Sequence, residues 1–265
     1  KFVDDIVKNG FKQNNDFIKS KVCANWQCIC EFTLFVLTLI QLFNPARVIL
    51  VIASIILIGE YILSYCAGHF FDTGHRIREM GLIDNSFGEK RIPTYNSENY
   101  YNNGTVTVKE IKLLANIHEN ALFTSRIVGE MIPLRFLLLV FIILLTIVKI
   151  FISGLDNYAS ILLSFIVSSS FLDRVIRLYS LKKSSQEVYD KANEICNIYG
   201  KTSPELSVSL LPKIIEILLI YENAVFDTKI VLSEKIFHKL NSSLSKEWLN
   251  IKNNYDKIKK NKIHR

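Results

Sequence analysis

The chain has 265 residues, of which 49% are hydrophobic, and its formal net charge is +7. Its mean hydropathy of +0.23 is high for a soluble protein. The positive charge lies beside long apolar runs, where the positive-inside rule accounts for it, so the composition argues against nucleic-acid binding. The five unevenly spaced cysteines suit a reducing compartment and predict neither a disulfide framework nor a metal site.

Residues 1–25 place apolar side chains among lysines at helical spacing, which predicts an amphipathic helix on the cytosolic side. Residues 26–66 predict the first transmembrane hairpin. Its first span runs apolar as far as Asn44-Pro45, which ends it, and its second span covers Val48–Cys66.

Glu60 lies well inside the second apolar run and is the most informative single residue of the sequence. Embedding a carboxylate in lipid is costly, so Glu60 is expected to face protein, water or a basic partner. One hypothesis places Glu60 on an ion path or gate. The alternative is an interhelical hydrogen bond or salt bridge with no role in transport.

Residues 67–132 predict a cytosolic helix-loop-helix. The second span is expected to continue as a helix to Gly81, followed by a polar loop from Leu82 to Gly104 and a second helix over Val108–Met131. Pro133 is expected to separate this helix from the third span.

Basic and aromatic residues of this middle region are candidates for binding a ligand or a partner. Arginine side chains and aromatic stacking are suited to a phosphorylated messenger. The candidates are Arg76, Arg78, Lys90, Arg91, Tyr100 and Tyr101. The alternative, which is the simpler interpretation, is a loop that only packs the cytosolic helices together.

Residues 133–176 predict the second transmembrane hairpin, in which two apolar runs are joined by the polar turn Ser153–Asn157. Each run is near the roughly 20 residues that a helix needs to cross a bilayer. Within Phe136–Val148, Thr146 is the single polar residue, whereas a buried soluble hairpin shows polar residues every third or fourth place.

Small hydroxyl residues recur at helical spacing in the fourth predicted span, at Ser160, Ser164 and Ser168. Small residues four apart allow helices to approach closely, which is the simpler interpretation. The sharper hypothesis makes these serines the wetted lining of an oligomeric pore, together with Glu60.

Residues 177–265 predict a cytosolic helical C-terminal region. A helix is expected to run through Tyr199 and to stop at Gly200, and a new helix to start near Ser203-Pro204-Glu205. The last helix carries apolar residues at three- and four-residue steps, which predicts a packing seam. They are Phe237, Leu240, Leu244, Trp248, Ile251, Tyr255 and Ile258.

Together these elements predict an all-α membrane protein with two transmembrane helical hairpins, cytosolic helical extensions and a helical C-terminal tail. The two short turns, 44–47 and 153–157, hold one basic residue between them, so both termini and the middle loop are expected to face the cytosol. At the cytosolic boundary, Asp173 is expected to pair with Arg174 or Arg177.

The sequence contains no motif of a known catalytic class, and we expect neither enzymatic activity nor a cofactor. It has no glycine-rich phosphate loop followed by Lys and Ser or Thr, no nucleophile elbow and no H-E-x-x-H. The row Cys66, His69, Asp72 and His75 turns around its helix, so a single metal ion would reach only two or three of these side chains.

Two short motifs suggest a family. Phe71-Asp72-Thr73 follows the second span, and a similar Phe226-Asp227-Thr228 lies in the tail. With the order of hairpins and helical extensions, they make the chain resemble the S-4TM proteins, four-span effectors of prokaryotic defence operons that are related in design to the two-span SLATT effectors.

This resemblance implies an oligomeric pore-former or membrane disruptor of the inner membrane, silent until triggered, that causes abortive death of an infected cell. The expected partners are membrane lipid, further copies of the chain, and a defence-operon protein or nucleotide second messenger. The alternative is a membrane-anchored sensor or scaffold that recruits a partner through its cytosolic helices without forming a pore.

Overall fold

The computed structural model describes residues 12–43, 47–91, 103–153, 170–199 and 206–260, which hold six α-helices and no strand. The helices are α1 (Lys12–Phe43), α2 (Arg47–Phe87), α3 (Lys109–Ser153), α4 (Ser170–Tyr199), α5 (Leu206–Thr228) and α6 (Glu234–Lys260). The all-helical prediction is confirmed for this part of the chain, and α4 ends at Tyr199 as expected.

Two of the described helices, α2 and α3, are candidate membrane spans, because each contains a stretch long and apolar enough to cross a bilayer. The apolar stretch of α2 has no residue buried inside the protein, and 17% of the apolar stretch of α3 is buried. A core helix of a soluble protein would bury most of such a stretch, so these surfaces suit contact with lipid. Of the other predicted spans, the first is the C-terminal part of α1 and the fourth lies mostly outside the described residues, so four spans stay a prediction.

The helices are longer than the sequence pattern predicts. The expected irregular stretch from Leu82 is wrong in its first part, because α2 continues to Phe87 before Gly88 turns the chain at φ 71°. Leu82 is fully buried in the core, and the Gly88 amide donates to the Asp84 carbonyl at 2.8 Å. Burial of this last turn therefore outweighs its polar composition.

Pro133 does not separate two helices, as the sequence suggested, but lies inside the single helix α3. Proline removes one backbone hydrogen bond and tends to kink a helix, so the flanking turns must be held by packing. On the N-terminal side, Val128 is buried against Leu178 and Leu181 of α4. The helix is therefore continuous because its neighbour supports it.

Three hydroxyls in apolar stretches of the described helices are satisfied within their own helix. Thr146 Oγ1 donates to the Ile142 carbonyl at 3.0 Å, and Thr38 and Ser54 make the same bond to the residue four positions earlier. A hydroxyl that is bonded in this way does not oppose lipid exposure of its helix.

Beyond the candidate spans, the end of α2 and the N-terminal half of α3 pack with α4, α5 and α6 around one hydrophobic core. Its fully or nearly fully buried side chains include Leu82, Ile111, Leu114, Ile117, Leu122, Ile214, Ile217 and Trp248. The predicted seam of α6 is buried at Leu244, Trp248 and Tyr255. This helical bundle positions the Arg78–Glu222 pair and the buried amide network described below.

Helices α1 and α2 form an antiparallel pair. At the end of this pair away from the apolar stretches, a Cβ at Gly74 would lie 3.2 Å from the Phe17 ring, so glycine permits this close approach. One turn of helix away, Ser20 Oγ donates to the Ala67 carbonyl at 2.8 Å. The same pairing, continued toward the apolar ends, brings Gln27 opposite Glu60.

Candidate functional site

A cluster of polar side chains joins α1, α2 and α4 beside the apolar stretches. The Gln27 amide donates from Nε2 to Glu31 Oε1 at 3.2 Å and to Glu60 Oε1 at 3.4 Å. Arg174 Nη2 donates to the same Glu31 oxygen at 2.9 Å. We call Gln27, Glu31, Glu60 and Arg174 the Glu31 cluster.

Burial makes the charges of the Glu31 cluster interdependent. The Glu31 side chain is 2% exposed and that of Arg174 is 18% exposed. A carboxylate that is this far from water keeps its charge only with a cation or several donors beside it, and Arg174 and Gln27 supply both. Arg135, whose charge interacts with both Arg174 and Glu31, is a second cation beside these carboxylates.

Sequence reasoning found one member of this cluster and missed the others. Glu60 was singled out, and the structure places it within reach of Gln27. Gln27 and Glu31 carry a signal that was available, because they lie four residues apart on one helical face directly before the apolar run. Asp173 pairs with Arg177 at 2.7 Å, which leaves Arg174 for Glu31.

The predicted lining residues Ser160, Ser164 and Ser168 lie outside the described residues. Their assignment to a pore stays a prediction. Tyr100 and Tyr101, which were proposed to bind a ligand, also lie outside the described part of the chain.

A second buried charge group joins α2 to α5. Arg78 donates to Glu222 Oε2, and its Nη2 lies 3.4 Å from His75 Nδ1, while His75 Nε2 is 3.7 Å from the same carboxylate oxygen. Burial, and secondarily Arg78, lower the pKa of His75 to about 4, so His75 is neutral at pH 7. Burial raises the pKa of Glu222, and Arg78 opposes that shift. Arg78 is thus the cation on which the charge of Glu222 depends.

The Arg78 guanidinium is buried and paired with Glu222, and its assignment to a ligand site stays a prediction. Arg91 also makes local contacts, since its backbone amide donates to Asp84 Oδ2 at 2.9 Å and its guanidinium reaches Glu89 at 2.8 Å. Arg76 and Lys90 are exposed. Nothing in the structure assigns a ligand to them, and their binding role stays a prediction.

The two motifs that suggested a family lie side by side. The rings of Phe71 and Phe226 both contact the His75 ring, with centroids 6.0 and 5.7 Å away. Asp72 forms a 2.7 Å ion pair with Lys229, the residue that follows the second motif. The motifs thus help to fasten α2 to the end of α5, which is a structural role.

A network of buried amides fixes the chain where it enters α3. Asn116 Nδ2 donates to Asn85 Oδ1 and Ser86 Oγ, both at 3.1 Å. Asn103 Nδ2 donates to Asn116 Oδ1 at 2.9 Å and to Glu119 Oε2 at 2.8 Å. Asn103 and Asn116 are fully buried, so these bonds replace water that the two side chains would otherwise need.

We expect Glu119 to make stability depend on pH. Burial raises its pKa to about 7, against the lowering effects of the Asn103 bond and Lys252. The folded protein then keeps this proton while the unfolded chain releases it, so the stabilisation is complete below the ordinary glutamate pKa of 4.5 and is lost as pH rises through about 7.

Glu119→Gln keeps an acceptor for Asn103 and removes the titration. Between about pH 5 and about pH 8, the unfolding free energy of the wild type should fall by about 2.5 kcal/mol more than that of Glu119→Gln. Chemical unfolding in mixed micelles at several pH values measures this difference. Glu130→Gln, an exposed change on the same helix, is the control, and equal pH slopes for wild type and Glu119→Gln would contradict the assignment.

His118 lies inside an aromatic enclosure. Its Nδ1 is 3.0 Å from the Tyr255 hydroxyl, and its ring contacts those of Tyr189 and Trp248 at 5.0 and 5.5 Å. Burial lowers the pKa of His118 to about 4, so the ring is neutral at pH 7. His118 therefore acts as part of the bundle core.

Comparison of the chain with protein-family models, curated proteins and solved structures finds no match. Among the described residues there is no group of three or more His, Cys, Asp and Glu side chains arranged to hold a metal ion. The Glu31 cluster, a group of charges beside the apolar stretches of the helices, is the most distinctive chemical feature of this part of the chain.

Proposed function

We propose that the protein is an oligomeric membrane effector that permeabilises or depolarises the prokaryotic inner membrane in anti-phage, abortive-infection defence. In this proposal the chain crosses the membrane four times, with both termini in the cytosol. Each subunit of the oligomer contributes Glu60 and the face that carries Ser160, Ser164 and Ser168 to the lining of a conducting path.

The exposed apolar surface supports membrane insertion. Ile55 and Ile58 of α2 are 65% and 64% exposed, and Leu137 of α3 is 67% exposed. Contiguous apolar surface of this size is an aggregation hazard in water and is stable in lipid.

The Glu31 cluster is the observation that carries the pore hypothesis. A protein that only needs an anchor has no need for two carboxylates beside its apolar stretches, because each opposes insertion. In the closed protein Gln27 donates a hydrogen bond to Glu60, and Arg174 donates one to Glu31. Separation of α1 from α2 would release Glu60 toward a wet path, where its charge attracts cations.

Glu60→Gln is expected to lower cation flux by about tenfold, because the neutral amide removes the local negative potential that concentrates cations. Potassium-driven depolarisation of liposomes that contain the purified protein, followed with a voltage-sensitive dye, measures the flux. Glu79→Gln removes the same charge from an exposed position of the same helix and is expected to leave flux unchanged.

Equal flux through wild type and Glu60→Gln would remove Glu60 from the lining. Wild-type vesicles that stay tight under every condition tested would refute the pore itself.

A membrane-anchored sensor or scaffold is the second candidate. It is favoured by the bundle of α3–α6, which has its own core beyond the candidate spans and joins α2 through Arg78 and Glu222. Tight vesicles together with a stable complex between this bundle and an operon partner would support it.

A further inference from the structure

A cavity of about 760 Å³ lies where the cytosolic ends of the candidate spans meet the bundle. Its walls come from α1, α2, α3 and α4 and from the connection between α5 and α6. Tyr61 and Tyr65, which are 79% and 74% exposed, line the side next to the apolar stretch of α2. Tyrosines of this kind mark the level of lipid headgroups.

The charges that line the cavity are predominantly positive. Five Lys and Arg side chains and two Asp side chains line it, and the carboxylates of Glu31 and Glu234 contact two of these cations, which leaves an excess of one positive charge. Four of the five cations have carboxylate partners within the described residues. These pairs are Lys21–Glu234 at 2.9 Å, Arg174–Glu31 at 2.9 Å, Arg177–Asp173 at 2.7 Å and Lys229–Asp72 at 2.7 Å.

Arg135 is the fifth cation, and no carboxylate of the described residues lies within ion-pair distance of it. It is half-buried at the start of the apolar stretch of α3, where water screens its charge less than at the surface. Arg174 repels it, while Glu31, already paired with Arg174, attracts it. A cation so placed favours the arrival of an anion.

We propose that this cavity binds a phosphate group, with Arg135 as its principal contact. A guanidinium presents two parallel N–H donors that match two phosphate oxygens, and the hydroxyl of Ser64 on the cavity wall is a further donor. The phosphate is that of a lipid headgroup or of a free phosphorylated compound. This inference stands whether or not the protein forms a pore.

The position of the cavity is suited to either source. Basic pockets between membrane helices on the cytosolic side accept lipid headgroups whose acyl chains remain in the bilayer. The walls from α4 and from the α5–α6 connection face the cytosolic bundle, where a soluble compound has access. The two sources differ in whether acyl chains are needed for binding.

The test uses the full chain in a neutral detergent, with calorimetric titration of three probes. They are dioctanoyl phosphatidylglycerol, dioctanoylglycerol, which lacks the phosphate, and inorganic phosphate. Phosphatidylglycerol is expected to bind and dioctanoylglycerol is not. Inorganic phosphate that binds or competes comparably identifies a soluble source, and inorganic phosphate that does neither identifies the lipid.

Arg135→Gln is expected to weaken binding of the active probe by at least about tenfold, which is the range for losing hydrogen bonds to a charged group. Arg126→Gln makes the same change at an exposed arginine of the same helix, outside the cavity, and should retain wild-type affinity. Arg135→Lys keeps the charge without the planar fork and should give an intermediate loss.

Equal affinities for wild type, Arg135→Gln and Arg126→Gln would overturn the proposal. If Arg135→Gln does not fold, as judged by gel filtration and helical content, two other results decide the question. They are the affinity of Arg135→Lys relative to the wild type and the comparison of the three probes on the wild type. Wild type that binds phosphatidylglycerol no more tightly than dioctanoylglycerol, and that ignores inorganic phosphate, would also overturn it.

Discussion

Arg174→Ala is expected to lower the free energy of unfolding by about 3–5 kcal/mol, because it removes the guanidinium that pairs directly with a buried carboxylate. The Glu31 side chain is 2% exposed, so water cannot replace the 2.9 Å contact from the guanidinium. Gln27 remains as a donor but carries no charge. Chemical unfolding in mixed micelles, followed by circular dichroism, measures the loss.

Arg177→Ala is the matched control, on the same helix and one turn away. Its pair with Asp173 joins side chains that are 43% and 52% exposed, so removing it should cost less than about 1 kcal/mol. Adding Glu31→Gln to Arg174→Ala removes the stranded charge and should restore most of the stability. A double variant as unstable as Arg174→Ala alone would show that the loss has another origin.

Arg78→Ala is expected to lower the free energy of unfolding by a similar amount, about 3–5 kcal/mol at pH 7. Glu222 is buried with an 8% exposed side chain, and the neutral His75 does not replace the lost charge. At about pH 5 the loss should shrink, because His75 lies 3.7 Å from the carboxylate and gains a proton more readily without Arg78.

The control for this second prediction replaces the whole pair. Arg78→Met with Glu222→Leu fills the same space without charges, and buried ion pairs replaced in this way are often no less stable. The double variant is therefore expected to have nearly the stability of the wild type. Arg126→Ala, which removes an exposed ion pair, should change the free energy of unfolding by less than about 1 kcal/mol. A double variant as unstable as Arg78→Ala would mean that the side-chain shape, and not the stranded charge, causes the loss.

Local patterns in the sequence predicted the helical class and the apolar stretches of α2 and α3. Hydrophobicity and helical periodicity are properties of neighbouring residues, so they are visible without a partner. The same reasoning placed the end of α4 at Tyr199 and the seam of α6 at Leu244, Trp248 and Tyr255. It failed at Leu82–Phe87 and at Pro133, where packing against other helices outweighs the local preference of the residues.

The sequence by itself determined that this chain is helical, strongly apolar along two long stretches and basic beside them. Only the tertiary structure decided which charges meet. Arg174 and Glu31 are 143 residues apart, and Arg78 and Glu222 are 144 apart. Such pairs depend on how whole helices pack together, because an isolated charged residue carries no local signal of its partner. The same packing places Arg135 beside a cavity, and no local pattern in the sequence predicts that position.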